Sequence, residues 1–291
     1  MTDLSLPAEK QVVVAGDWHG NFSWVEKALP AIIHEAPYMK TILHVGDFGL
    51  WRGARAAQYL DTIDRLCVDG GLERILVTPG NHEDWSLLDQ AFAKQPGEPV
   101  QFSDTVWMMP RGFRFSLSGR TFMSFGGAAS IDYAQRTKGH DWFPTEIPTD
   151  EDEATAIAGG SVDVLITHES VYRGTAAADR ALRSNPLGWS PEELAYSSVS
   201  RELVTRLWKA TGPRVLLHGH MHTPDEIEFA DGSQVISLGR DEQRHNLGIL
   251  DLQELSWEWG PEPQRSPRVK RTRNAEANYL TRPGESSTGE Q

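Results

Sequence analysis

Five short apolar stretches limit what this chain can fold into: QVVVAGDWH, TILHVGD, RILVTPGNHE, DVLITHE and RVLLHGHMH. Each is a continuous run rather than an alternation. A strand buried on both faces reads this way, and such strands belong to parallel sheets covered by helices. Each run also closes on side chains able to hold a metal: Asp17 and His19, Asp47, Asn81 and His82, His168, and His220 and His222. Open parallel sheets place ligands in the crevice beyond the carboxyl ends of their strands, so five such ends predict one shared site. The donors are imidazole, carboxylate and amide with no thiolate, which suits Zn, Mn and Fe better than soft ions.

The order of elements fits that sheet. Gln11–Ala15, Thr41–Val45 and Arg74–Val77 read as strands, with helices over Asn21–His34 and Ala54–Val68 between them, a βαβαβ start. Thr105–Met109, Phe113–Leu117 and Thr121–Phe125 follow at close spacing with Gly and Pro between them, which predicts antiparallel pairing and a mixed sheet. Residues 128–160 are rich in Asp, Glu, Thr, Gly and Pro and read as a lid or insertion, with one acidic helix around Asp150–Ala158. Val162–Thr167 returns to strand, and a loop is expected through Ser190. Ser190 and Pro191 then open a helix to Ala210, which leads into strand Arg214–Leu217. Asp231-Gly232 predicts a hairpin in EIEFADGSQVISLG, and Asn246–Leu252 and Ser256–Trp259 read as edge strands. The expected organisation is one domain over 1–261 and a mobile tail over 262–291, whose stretch RSPRVKRTR could meet an acidic partner or nucleic acid.

Charge narrows the partners. With 28 Lys and Arg against 41 Asp and Glu, the chain carries a formal charge of −13, which argues against a broad grip on nucleic acid or an anionic membrane. The single cysteine, Cys67, lies in an expected helix and reads as a buried apolar residue, so no intrachain disulfide can form. The opening MTDLSLPAEK has no basic segment followed by an apolar core, and no run reaches the ~18 apolar residues of a membrane span. A cytoplasmic setting is the default expectation.

Asp17-x-His19, Gly46-Asp47, Gly80-Asn81-His82-Glu83, His168 and Gly219-His220-x-His222, in that order across residues 11–223, resemble the calcineurin-like metallophosphoesterase superfamily, in particular its small bacterial and phage members. The resemblance implies a four-layered α/β sandwich of two mixed sheets flanked by helices. It implies two divalent ions (Mn, Fe or Zn), with Asp17, His19 and His222 on the first, Asn81, His168 and His220 on the second, and Asp47 bridging. It also implies hydrolysis of a phosphomonoester or small phosphodiester by a metal-bound hydroxide, with His82 as the catalytic acid on the leaving oxygen. The substrate would be a phosphorylated small molecule or nucleotide. The alternatives are a nuclease, a cyclic-nucleotide phosphodiesterase, or a non-catalytic binding scaffold on the same fold.

The chain departs from the protein-phosphatase branch of that superfamily. Leu50 stands where those enzymes carry the acid of an Asp-Arg-Gly, leaving Glu83 or Asp84 as substitutes to pair with His82, or no partner at all. Arg136, His140 and Trp142 in the lid are expected substrate contacts, as is Arg52, whose guanidinium fork would match phosphate oxygens. Trp18 and Trp51 are expected at the rim of the site, where an indole could stack on a nucleobase or shield the metals.

Overall fold

In the computed structural model, which describes residues 1–263, two seven-stranded sheets lie face to face. One contains β2 (Gln11–Ala15), β3 (Thr41–His44), β4 (Arg74–Val77) and β6 (Val106–Met108), all parallel. β13 (Leu247–Asp251), β14 (Trp257–Trp259) and β5 (Val100–Gln101) complete it as antiparallel edges. The other is built on parallel β8 (Arg120–Phe125), β9 (Val164–Thr167), β10 (Val215–His218) and β12 (Gln234–Ser237). There β7 (Phe113–Leu117) pairs antiparallel with β8, β11 (Asp225–Glu228) antiparallel with β12, and β1 (Thr2–Asp3) parallel with β7.

The apolar runs explain the layering. Side chains alternate across a strand, so a run buried throughout serves two cores at once. In β2, Val12 and Val14 face the space between the sheets, where they meet Phe115, Phe122, Ile166 and Leu217. Val13 and Ala15 face outward and are covered by α1 (Phe22–Glu35), α2 (Ala54–Gly70) and α3 (Trp85–Lys94), through residues such as Leu29, Ile63 and Leu88. The second sheet does the same. Met123, Leu165 and Leu216 point outward under α4 (Asp150–Ala158) and α6 (Pro191–Thr211), where Ala156, Val204 and Leu207 cover them. The result is the four-layered α/β sandwich with two mixed sheets that the motifs imply. Cys67 is buried in α2.

Several local readings need correction. Thr105–Met109 does not join the antiparallel group: β6 pairs parallel with β4 in the first sheet, and the chain then crosses at Pro110 to start the hairpin β7–β8 in the second. Trp85–Lys94 is a helix with Asp84 accepting from Leu87 N as its cap, although Trp85, Leu88 and Phe92 already stand at helical spacing. The expected loop before Ser190 contains α5 (Ala176–Ser184), capped by Thr175 and ended by Asn185 in the left-handed region at φ 41°. Phe143 in segment 128–160 is buried and packs into the first core. Of the expected tail only Glu262 and Pro263 fall among the described residues; the basic stretch RSPRVKRTR lies outside them.

Candidate metal centre

The predicted ligands come together at one rim of the sandwich, from both sheets. Asp17, His19, Asp47, Asn81 and His82 follow β2, β3 and β4; His168, His220 and His222 follow β9 and β10. Ligand atoms of Asp17, His19, Asp47 and His222 all lie within 4.8 Å of one another. His222 Nε2 is 2.9 Å from Asp17 Oδ2. The two oxygens of Asp47 face different groups: Oδ1 is 3.2 Å from His168 Nε2, and Oδ2 is 3.4 Å from His19 Nε2. His168 Nε2 is also 3.1 Å from Asn81 Oδ1, and the His220 ring stands 5.0 Å from that of His168.

The backbone is bent to aim these groups. His19, Asp47, His220 and His222 have φ of 49°, 51°, 65° and 51°, a left-handed conformation that costs a side-chain-bearing residue on the order of 1–3 kcal/mol and collects at functional sites. Two glycines make room for them. A Cβ on Gly80 would collide with the Asp47 carboxylate, and one on Gly219 with Asp17 Oδ1.

Residues without a motif hold the ligands in place. His168 Nδ1 donates to the Val45 carbonyl at 2.8 Å, which fixes the ring so that Nε2 faces Asp47 and Asn81. His19 Nδ1 is 3.1 Å from Asp241 Oδ1, and Asp241 in turn accepts from Asn21 Nδ2. Ser130 Oγ accepts from Asn81 Nδ2 at 3.0 Å, which turns the amide oxygen toward His168. Glu169, 3.8 Å from His220 Nε2, is bound by Ser170, Ser200 and Arg201. Asn246 donates to the carbonyls of Asp17 and Gly239 and accepts from Trp18 and Trp24, so it fixes the loop that carries Asp17. Of these only Glu169 is signalled in the sequence, by its place next to His168 in DVLITHE.

The electrostatics favour cations. Burial opposes charge on His168 and His19, yet the carboxylates of Asp47 and its neighbours outweigh it and raise both to about 10. Burial likewise disfavours the Asp47 carboxylate, but the histidines around it hold it well below its usual range. Burial depresses His220 to about 4, against the pull of Glu169. The donor set accommodates divalent ions: with Nδ1 tied to a carbonyl, His168 Nε2 faces only the acceptors Asp47 Oδ1 and Asn81 Oδ1, and Asp17 Oδ1 is buried without a hydrogen-bond partner. Converging acceptors are stable only around a proton or a cation.

The structure separates the expected substrate contacts. Arg136 reaches the site, with Nη2 2.8 Å from His82 Nε2, and its Nε pairs with Asp132 at 2.7 Å. Arg52 does not: it is exposed and bound to Asp84 and Ser86. His140 lies exposed in a turn and contributes nothing to the cavity lining. Trp142 donates to the Tyr196 hydroxyl at 3.0 Å and lies tilted against Tyr133, so it anchors segment 128–160 to α6. Trp18 is fully buried beside His44, and Trp51 packs on the first core, so neither indole lines the rim. Neither expected acid pairs with His82. Glu83 accepts from the backbone of Gly49 and Gly80, Asp84 caps α3, and Leu50 is buried; the neighbour of His82 is the Arg136 guanidinium.

A cavity of about 440 Å³ opens beside Asp47, Asn81, His82, His220 and His222. A hollow of about 530 Å³ at the opposite ends of the strands, beside Asp163, Arg214 and Asp231, contains no histidine.

The comparisons agree with this geometry. The family model for calcineurin-like phosphoesterases matches residues 10–224, and the chain belongs to that family. A comparison with curated protein sequences finds no match. Among solved structures the chain is similar to TT1561 of Thermus thermophilus, at 13% identity and a TM-score of 0.52, covering 87% of this chain and 99% of that one. It is also similar to a dimetal phosphatase from Danio rerio, at 13% identity and a TM-score of 0.48, covering 84% and 93%. A phosphopantetheinyl hydrolase from Mycobacterium tuberculosis matches at 15% identity and a TM-score of 0.47, covering 90% and 100%. At such an identity the likeness to TT1561 speaks to the fold alone.

Proposed function

We propose that this chain is a two-metal phosphoesterase acting on a phosphomonoester or a small phosphodiester. The observation that carries the reading is the divided Asp47 carboxylate, with one oxygen toward His168 and the other toward His19. In this reading Asp17, His19 and His222 would hold one divalent ion, Asn81, His168 and His220 another, and Asp47 both. Bound there, the ions would neutralise charge on the phosphoryl oxygens and lower the pKa of a coordinated water toward neutrality.

The chain's own residues do the rest. Val45 and Asp241 hold His168 and His19 in the orientation a ligand needs. His82, which lines the cavity beside Arg136, is assigned the proton transfer to the leaving oxygen. Burial keeps its imidazole well below the ordinary range despite Asp47, with Arg136 adding to the effect, and its Nε2 accepts from Arg136 Nη2. An anionic phosphoryl group between the two would draw the guanidinium's donor to itself and stabilise a proton on His82. Proton loading would then accompany substrate binding.

The test is reconstitution with Mn, Fe or Zn. It is followed by a screen of p-nitrophenyl phosphate, bis-p-nitrophenyl phosphate, cyclic nucleotides, dinucleoside polyphosphates and phosphopeptides. We expect two ions per chain and turnover of the simple esters. Since loss of a residue that merely orients a ligand costs about 10–100-fold, Asp47→Asn should lower activity by at least that much. A folded chain that retains no metal after reconstitution would favour the binding-scaffold alternative, and turnover of polynucleotides above small esters would favour the nuclease.

A further inference from the structure

The cavity that begins at the ligands does not stay polar. Away from Asp47 and His220 it runs between the end of α5, the segment 185–189 and the first turns of α6, where Leu182, Leu187, Trp189, Leu194 and Met221 line it. Leu187 is 76% exposed at its mouth, a large apolar side chain held in water. Several polar groups on this side are already engaged. Asn185 exchanges two hydrogen bonds with the backbone of Trp189, Ser197 Oγ accepts from Arg201, and Asp132 pairs with Arg136. Thr223 Oγ1 is buried without a hydrogen-bond partner.

We infer that this apolar extension holds the organic arm of the substrate, and that the arm is a hydrocarbon or plain aryl group rather than a nucleobase or sugar. The inference rests on the phosphoesterase reading, since it is continuity with the metal centre that makes the cavity's occupant a phosphoester. The chemical argument is one of unmade hydrogen bonds. A base edge or sugar entering this space would give up its bonds to water against a wall that is mostly apolar, whereas an aryl group loses none and gains from leaving water. The volume of about 440 Å³ is within the range of small-ligand sites and exceeds what a phosphoryl group alone would fill. The Asn185 bonds preform the wall, so little ordering is left for the ligand to drive.

Binding to the Mn-loaded protein, followed by calorimetry with two non-hydrolysable probes, tests this. Benzylphosphonate should bind at least tenfold more tightly than methylphosphonate. In Leu187→Ser, whose site is exposed enough to leave folding intact, that preference should fall below threefold, and Trp189→Ala should reduce it in the same direction. Equal affinity of the two probes for the unaltered chain, or an undiminished preference in both variants, would overturn the inference while the metal-centre reading stands. Failure of both probes to bind would remove the phosphoesterase reading and this inference with it.

Discussion

Asp241 accepts from His19 Nδ1, and Ser130 accepts from Asn81 Nδ2, so two proposed ligands owe their aim to residues that no motif marks. Replacing Asp241 by Asn would keep the shape and remove the charge that makes His19 a strong donor. We expect a 10–100-fold loss in metal affinity with the fold retained, read by titration of the metal-free chain. Glu146 gives a pH prediction away from the ligands. Burial raises its carboxyl from the ordinary 4.5 to about 7, against the Ser130 N–H that binds it. Its folded pKa therefore lies above the unfolded one, and the folded state keeps a proton that the unfolded state has lost between those values. Stability falls as pH rises from about 4.5 to 7 and is level beyond, by an amount on the order of 3 kcal/mol. Urea unfolding at pH 4.5 and pH 8 should show Glu146→Gln losing that much less than the unaltered chain. Equal losses would contradict the assignment.

At the scale of elements, the helices whose ends the sequence marks are the ones it predicts well. Ser190 accepts from Glu193 N while the Glu193 carboxylate accepts from Ser190 N, a reciprocal cap that fixes the start of α6. Ser190→Ala should cost about 1 kcal/mol in denaturant unfolding. Because Leu194 in the first turn of α6 lines the cavity, the same change should loosen its apolar wall. α5 was legible in part, since AAADRALRS is rich in helix formers behind a capping Thr175, but its neighbouring Gly and Pro residues read as loop. β6 was misjudged for a different reason. Strand character is local, whereas the choice of partner depends on which sheet the chain reaches next, and no periodicity encodes the crossing at Pro110.

For the whole molecule, the proposed ligands come from two sheets packed face to face. Ions bound at their common rim would tie the layers together, and binding free energy would add to folding free energy. At a concentration about a hundredfold above its Kd, Mn should raise the melting temperature by about 5–10 °C, reversibly on chelation. An unchanged melting temperature would mean that metal does not bind the folded chain preferentially. Among the described residues no helix is long and apolar enough to cross a membrane.

The sequence alone determined the five apolar strands and the metal-capable side chains just past their ends. Runs buried on both faces and donors placed just past them are local properties of the chain. Only the tertiary structure decided which lid residues meet the site, because contact across loops depends on packing that no short-range pattern carries. It brought Arg136 to His82, sent Arg52 to Asp84 and buried Trp18. It also drew in Asp241 from more than two hundred residues away to hold His19, a pairing set by how the strand ends meet at the rim.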